Sequence, residues 1–377
     1  MKKINLRTII QIAIVVLVFW LAYAHQRFGI EKVASIDAYC PFGAVESFFT
    51  LIFNGMFLQR IFWSSFILLA VFLIATLFFG RVFCGYFCPL GAIQEWICNL
   101  GIKLGIKKEF EFPEKIDKYL RYLKYIVLAV VVYFSFYLGD LIFRNYDPYN
   151  ALMHFGQEFE EKIVAYILLL IVIVISLFSK NIWCRYFCPL GAFFAIFKKI
   201  SFFRIKRDKD TCISCGICDK KCPAGLKIMT ADKVDSTDCI SCGKCVGNCL
   251  KNSLSFRILG KEVSKSKFSL LILVLVFLPI AILPYTPIWQ TKPQSNIINS
   301  AGKTNVADIR GSNTLEYLIT ITGIPFEVFV VVLKLPQDID KEMKLKDIGT
   351  KYNLKNDEGL LLEVEDFREF VLKELGL

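Results

Sequence analysis

Histidine is nearly absent from this chain: His25 and His154 are the only two in 377 residues. Neither stands at ligand spacing from a second candidate, so both are expected in outer loops with structural roles, rather than as haem ligands or quinol contacts. No G-x-G-x-x-G turn or other flavin or nicotinamide signature occurs, which excludes hydride chemistry by the chain itself. No nucleic-acid motif occurs either. Charged residues are scarce at 21%, against 55% hydrophobic and 15% aromatic. With a mean hydropathy of +0.51, that balance excludes an ordinary soluble globular protein and points to a membrane.

Apolar runs suited to a ~30 Å hydrocarbon core lie at Thr8–Ala24, Ile61–Phe79, Tyr125–Phe143, Ile163–Phe178 and Phe268–Leu283. Five spans are expected. Lys2, Lys3 and Arg7 precede the first run and Ala22-Tyr23-Ala24 resembles a cleavage site, but the length of the run favours a retained anchor. Segment 102–124 has seven Lys/Arg against four acids and 198–267 has sixteen against seven, whereas 144–162 has two against four. The positive-inside rule then puts the N-terminus and 198–267 in the cytoplasm and the loops near Cys40 and Asp147 outside. The tail from Thr286 follows outside, in a cytoplasmic (inner) membrane. The net charge of +11 reflects this inside bias and attraction to anionic lipid.

Cysteine, by contrast, is plentiful, with fourteen residues. Eight form two runs, Cys212-x2-Cys215-x2-Cys218-x3-Cys222-Pro223 and Cys239-x2-Cys242-x2-Cys245-x3-Cys249, the spacing of a two-cluster bacterial ferredoxin. Three closely spaced thiolates wrap three corners of a cube, and the fourth comes from the other run. Cys212, Cys215, Cys218 and Cys249 are therefore assigned to one [4Fe–4S] cluster, and Cys239, Cys242, Cys245 and Cys222 to a second. Gly216 and Gly243 stand where backbone must approach inorganic sulfur. Zinc knuckles use other spacings, and disulfides do not persist in a reducing cytosol. Leu250 follows Cys249 where the first run has Pro223.

The nonapeptide from Cys84 to Ala92, CGYFCPLGA, recurs from Cys184 to Ala192 as CRYFCPLGA. The membrane part reads as duplicated two-helix hairpins about an axis along the membrane normal, with the site at their interface. The outer loops match more weakly, Cys40-Pro41-Phe42-Gly43-Ala44 against Asp147-Pro148-Tyr149-Asn150-Ala151. Each proline suits the first turn of a helix, which puts Cys88 and Cys188 at N-caps. The helix N-terminus, with Arg81 and Arg185 nearby, is expected to favour thiolate. Cys84, Cys88, Cys184 and Cys188 thus form a candidate redox or metal site: ligands of a third metal centre, a dithiol pair, or shapers of the turn. Cys98 reads as core, and Cys40 as buried.

The fold class is an α-helical integral membrane protein: duplicated hairpins plus a fifth span, an inserted two-cluster ferredoxin (α+β) domain and a small helical tail. The expected boundaries are 1–200 for the four-span bundle, 201–260 for the ferredoxin, 265–287 for the fifth span and 300–377 for the tail. In the tail, Asn313 and Glu316 have capping-box spacing. Thr314-Leu315-Glu316-Tyr317-Leu318 is echoed by Lys344-Leu345-Lys346-Asp347-Ile348, giving two helical hairpins with no visible chemistry.

At Cys84–Ala92, Cys184–Ala192 and Cys212–Cys249, over roughly residues 5 to 285, the chain resembles the polyferredoxin-type membrane proteins of anaerobic and facultative respiration. These include the quinol-dehydrogenase membrane component of periplasmic nitrate reductase, the membrane regulator of nitrous oxide respiration and the cytochrome oxidase accessory protein linked to copper handling. A span after the ferredoxin looks like the oxidase accessory branch, although a helical tail is unlike its β-sandwich. The resemblance implies electron transfer between a quinone/quinol pool or cytoplasmic donor and a redox partner protein. The rival readings are a copper or thiol reductase that matures a respiratory enzyme, with Cys84, Cys88, Cys184 and Cys188 as its working group, and an iron–sulfur redox sensor.

Overall fold

A computed structural model describes residues 6–28, 33–54, 62–106, 112–138, 141–154, 162–286, 288–291, 309, 311, 313–356 and 359–375. Lys2, Lys3, Ile61 and the stretch 292–308 that opens the expected tail lie outside them. The chain divides into two compact units, Met1–Phe49 with Arg60–Lys292, and Thr50–Gln59 with Pro293–Leu377.

In the first unit the order is α1 (Leu6–Phe28), α2 (Pro41–Asn54), α3 (Trp63–Phe79), α4 (Pro89–Lys103), α5 (Glu114–Leu120), α6 (Leu123–Leu138), α7 (Pro148–Met153), α8 (Ile163–Ser176), α9 (Ile182–Tyr186) and α10 (Pro189–Lys198). The chain continues through β1 (Phe203–Arg207), α11 (Ile217–Lys220), β2 (Lys233–Val234), α12 (Lys244–Gly247), β3 (Leu254–Ile258), β4 (Lys261–Val263) and α13 (Lys265–Ile282).

Each apolar run contains a helix, but not of equal reach. Among the described residues, Leu6–Phe28, Glu114–Tyr137 and Lys265–Tyr285 are long and apolar enough to cross a membrane. The runs from 61 and from 163 give helices of 17 and 14 residues, about 26 and 21 Å at 1.5 Å per residue. Gly80, at φ 75°, stops α3. Of the run expected to reach Phe143, Leu123–Leu138 is helical and Ile142–Asn145 forms a 3-10 turn. His25 lies in the last turn of α1 rather than in a loop, and His154 caps α7.

The helix after each repeated nonapeptide packs against apolar helices. α4 lies against α8, and α10 lies against α3 and α6. Gly101 of α4 sits so close to the Leu177 carbonyl that an added Cβ would be 2.4 Å from it.

The inserted domain carries an antiparallel sheet in the order β2-β1-β3-β4, with Phe203 opposite Ile258 and Ile205 opposite both Phe256 and Val234. Alternation explains its faces: Phe203, Ile205, Leu254 and Phe256 point inward from residues that alternate with more exposed ones. Phe203 and Phe256 stack on Phe268 of α13, with centroids 5.0 and 4.5 Å apart. This cluster ties the sheet to the last long apolar helix, and truncating one such ring costs roughly 3–5 kcal/mol.

The second unit contains α14 (Leu315–Thr322), α15 (Phe326–Val332), α16 (Leu345–Tyr352) and α17 (Val364–Leu375). Phe329 and Phe370 meet at 4.7 Å in its core, with Leu315, Leu318, Leu345, Ile348 and Phe367 buried around them. The cap of α14 is Thr314, whose side chain accepts from the Tyr317 amide, and not Asn313. A β-bridge to Lys344 holds Thr314 extended and moves the helix start on by one residue. The two echoed segments thus begin against each other.

Candidate electron-transfer site

The two runs of the inserted domain share the sequence Cys-Ile-Ser-Cys-Gly, and both fold alike. Ser214 and Ser241 (φ 51° and 54°) and Gly216 and Gly243 (φ 70° and 68°) are left-handed, which curls each loop around its sulfurs. At Gly243 a side chain is doubly excluded, because an added Cβ would meet the Phe256 ring at 2.6 Å. Cys212, Cys215, Cys218 and Cys249 line one pocket of about 20 Å³. Cys239, Cys242, Cys245 and Cys222 are all buried. Burial, and then repulsion from Cys242, Cys239 and Cys222, pushes the Cys245 thiol up. The fold thus brings together the two sets that crossing between runs requires. They differ in environment: Cys215 is exposed and Cys212 is held low by the Ser214 amide and Arg207, whereas burial raises Cys222 to about 12.

The four cysteines of the repeat also converge. Cys84, Cys88, Cys184 and Cys188 line one cavity of about 30 Å³, with Trp183, Tyr149, Phe42 and Phe83 among its apolar walls. Cys84 belongs to a five-residue π-helical turn, Phe83–Phe87, a form often found at functional positions. Cys88 and Cys188 do sit at N-caps, accepting the amides of Gly91 at 3.4 Å and Gly191 at 3.3 Å. Arg81 Nη2 donates to Cys84 Sγ at 3.7 Å, and Gln94 Nε2 donates to Cys184 Sγ at 3.5 Å. Each sulfur therefore receives an N–H donor. The expected thiolate bias is nonetheless outweighed in the free chain. Burial and repulsion among the sulfurs push Cys88 and Cys188 well up and Cys184 up to about 12. Cys40 is half-buried rather than buried, and Cys98 is core. Among the described residues, no three Cys, His, Asp or Glu side chains close tightly enough for a single metal ion.

Apart from Arg81 and Arg185, the residues joining this cavity to the inserted domain are ones that sequence reasoning missed. Gly85 lies flush against the cysteine loop, where an added Cβ would be 2.3 Å from the Ile240 carbonyl. Its own carbonyl accepts from Arg7 Nε at 2.8 Å and Gln11 Nε2 at 3.3 Å. Arg7 then forms a two-pronged pair with Glu95, which also pairs with Lys244 of α12 at 2.8 Å. Asp238, next to Cys239, is bound by Arg121 at 2.9 Å, by Lys124 and, at 3.8 Å, by Arg81. Burial pushes its carboxyl up, but Lys124, Arg81 and Arg121 together hold it below the usual carboxylate range. Asp117 takes Arg121 at 2.8 Å and Arg185 at 2.7 Å. A narrow cleft runs through this seam, lined by Cys84, Cys184, Arg81 and Arg185 on one side and by Pro223, Asp238 and Ile240 on the other. One sequence signal was available: Gly85 against Arg185 is the only mismatch between the two nonapeptides.

A family model described as a 4Fe–4S binding domain matches residues 61–107 and again 162–209, and one described as a 4Fe–4S dicluster domain matches 204–250. The chain is 35% identical over 226 residues to an uncharacterized protein, MJ0750, of Methanocaldococcus jannaschii, covering 60% of this chain and 89% of that one. It is 26% identical to the putative electron transport protein YccM of Escherichia coli, covering 72% and 80%. It is 34% identical to the regulatory protein NosR of Pseudomonas aeruginosa over 154 residues, 39% of this chain and 21% of that protein. No solved structure matches the chain.

Proposed function

The chain belongs to the polyferredoxin-type 4Fe–4S electron-transport proteins, and on that premise we propose that it conducts electrons through three cysteine-held centres in series. Cys212, Cys215, Cys218 and Cys249 hold the outermost, Cys239, Cys242, Cys245 and Cys222 the next, and Cys84, Cys88, Cys184 and Cys188 the third. A [4Fe–4S] cube held by four thiolates takes up and returns one electron at a time.

The observation that carries this reading is the shared wall: Cys84, Cys184 and Arg81 line both the four-cysteine cavity and the cleft that reaches Pro223, Asp238 and Ile240. Pro223 adjoins Cys222 in the chain, and Asp238 and Ile240 flank Cys239. A cube suits the third set on three counts. Its cavity is lined by all four sulfurs, as the pocket of Cys212, Cys215, Cys218 and Cys249 is. Every sulfur already accepts an N–H donor, as ligating thiolates do. In the seam, four cations, Arg81, Arg121, Lys124 and Arg185, face two carboxylates, Asp117 and Asp238, an excess that anionic centres on either side would balance.

The donor end is read as a quinol. Phe42 and Asp147 of the four-cysteine cavity also line a second pocket with Asn150, Asp37 and Phe143. Asn150 Oδ1 is buried there without a partner among the described residues, and burial holds the Asp147 carboxyl up at about 7. A headgroup that gives up protons with its electrons would use Asn150 Oδ1 as a hydrogen-bond acceptor and the Asp147 carboxylate as the base. Five spans in the cytoplasmic membrane, with the ferredoxin inside and the tail outside, place this pocket on the outer side. The charge asymmetry of the connecting segments supports that orientation. Electrons then pass inward to a soluble redox partner at the exposed Cys215 end.

Iron and acid-labile sulfide on anaerobically purified protein test the count. About twelve irons per chain, falling to about eight when Cys84, Cys88, Cys184 and Cys188 are replaced by alanine, are expected from four per cube. About eight in both proteins removes the third centre and returns those cysteines to thiol chemistry.

A further inference from the structure

We infer that Arg81 is a positioning residue that sets the reduction potential of the four-cysteine centre, a role that rests on the third centre proposed above. Among the described residues lining that cavity, Arg81 is the only cation and Asp147 the only carboxylate. Its guanidinium is 1% exposed. It touches three parts of the fold at once. Nη2 donates to Cys84 Sγ at 3.7 Å, and Nη1 donates to the Thr237 carbonyl at 3.2 Å and lies 3.8 Å from Asp238. Nη2 also lies over Gly191 at the start of α10, where an added Cβ would be 2.8 Å away.

Its Nε is buried with no partner among the described residues. An arginine this deep normally spends its donors, because a buried unpaired N–H costs roughly 1–3 kcal/mol. Arg185 shares such an orphaned Nε, so what singles out Arg81 is its place on the wall of the sulfur cavity. In the second half of the repeat the matching position is Asn181, which carries no charge, and the cation of that half, Arg185, is already paired with Asp117. Arg81 therefore acts alone on this cavity.

A cation fixed beside a centre that becomes more negative on reduction favours the reduced form and raises its potential. Because the same guanidinium faces both Cys84 and the loop before Cys239, an electron is attracted to it on either side of the seam. On the Cys239 side the Asp238 carboxylate at 3.8 Å offsets this pull, so its larger effect falls on the four-cysteine centre.

The test is an EPR-monitored redox titration of the full-length, iron-loaded protein, comparing wild type with Arg81→Gln, Arg81→Lys and Gly191→Ala. In Arg81→Gln the reduced-to-oxidised ratio of the four-cysteine centre at fixed potential should fall by about ten- to a hundredfold. That is about 60 to 120 mV at 59 mV per tenfold for one electron. Arg81→Lys should recover most of this, and Gly191→Ala, which displaces the guanidinium but keeps every ligand and charge, should give a smaller fall. The centre at Cys212, Cys215, Cys218 and Cys249 should not move. An unchanged titration of the four-cysteine centre in Arg81→Gln at about twelve irons overturns the inference, as does an equal shift of all centres. Should Arg81→Gln lose iron, Gly191→Ala decides by the same criterion. Only about eight irons in the wild type brings down the three-centre reading itself, a separate result.

Discussion

The two halves of the repeat use the same nonapeptide to opposite ends. In the first half Gly85 presents bare backbone to the Ile240 carbonyl, and the cation three residues before the first cysteine, Arg81, turns inward to Cys84. In the second half the cation has moved to the residue after the cysteine. Arg185 turns outward to Asp117 and the loop at Gly225, while neutral Asn181 takes the inner position. Cys84 receives its donor from its own half and Cys184 from Gln94 of the other. The repeated nonapeptide supplies four sulfurs, and the difference of one glycine and one arginine between its copies sets the side that meets the cysteine loop at Ile240.

The strongest way to break this asymmetry is to give the first half a side chain. Gly85→Ala should destabilise by about 4 kcal/mol or more, because the obstacle is a backbone carbonyl that cannot rotate away. Thermal unfolding should fall accordingly, with loss of iron from the Cys239 group, and an unchanged melting temperature would show that the loop yields. Asp238→Asn comes next. It leaves Arg81, Arg121 and Lys124 without their common carboxylate, at about 3 kcal/mol. The gap between Asp238→Asn and wild type should also close in acid. The folded carboxyl is depressed, so its contribution is complete above the unfolded value near 4 and is lost as pH falls through the folded one. Melting curves from pH 6 to 3 check the direction.

Arg185→Gln probes the outward arm and should cost about 1–2 kcal/mol, since Asp117 keeps Arg121. A loss as large as that of Asp238→Asn would make the halves equal partners in docking. The smallest effect is expected from Gln94→Phe, which installs the residue of the second half, Phe194, and removes the donor to Cys184. It should shift the four-cysteine centre by tenfold or less in the EPR titration, and cost about 1 kcal/mol in thermal unfolding, because Gln94 Oε1 also accepts the buried Trp183 amide at 3.2 Å.

Much of this site could be read from the chain because its chemistry is local. Three thiolates at two-residue gaps must come from one turn, so the cysteine runs announced the pocket that Cys212, Cys215, Cys218 and Cys249 line and the burial of Cys222 with Cys239, Cys242 and Cys245. A proline after Cys88 and Cys188 announced their N-caps. The thiolate bias read from those caps failed because burial and sulfur repulsion act through neighbours distant in sequence. The start of α14 moved by one residue for the same reason, since its cap answers to Lys344 thirty residues on.

By itself, the sequence determined the apolar helices, the two curled cysteine loops and the repeated turn, because hydropathy, ligand spacing and literal repetition are properties of neighbouring residues. Only the tertiary structure decided that Gly85 lies under Ile240, that Arg81 rather than Arg185 enters the sulfur cavity, and that Asp238 holds the seam. Each depends on segments more than a hundred residues apart meeting in a buried place, where a missing Cβ or one unpaired charge outweighs any local preference.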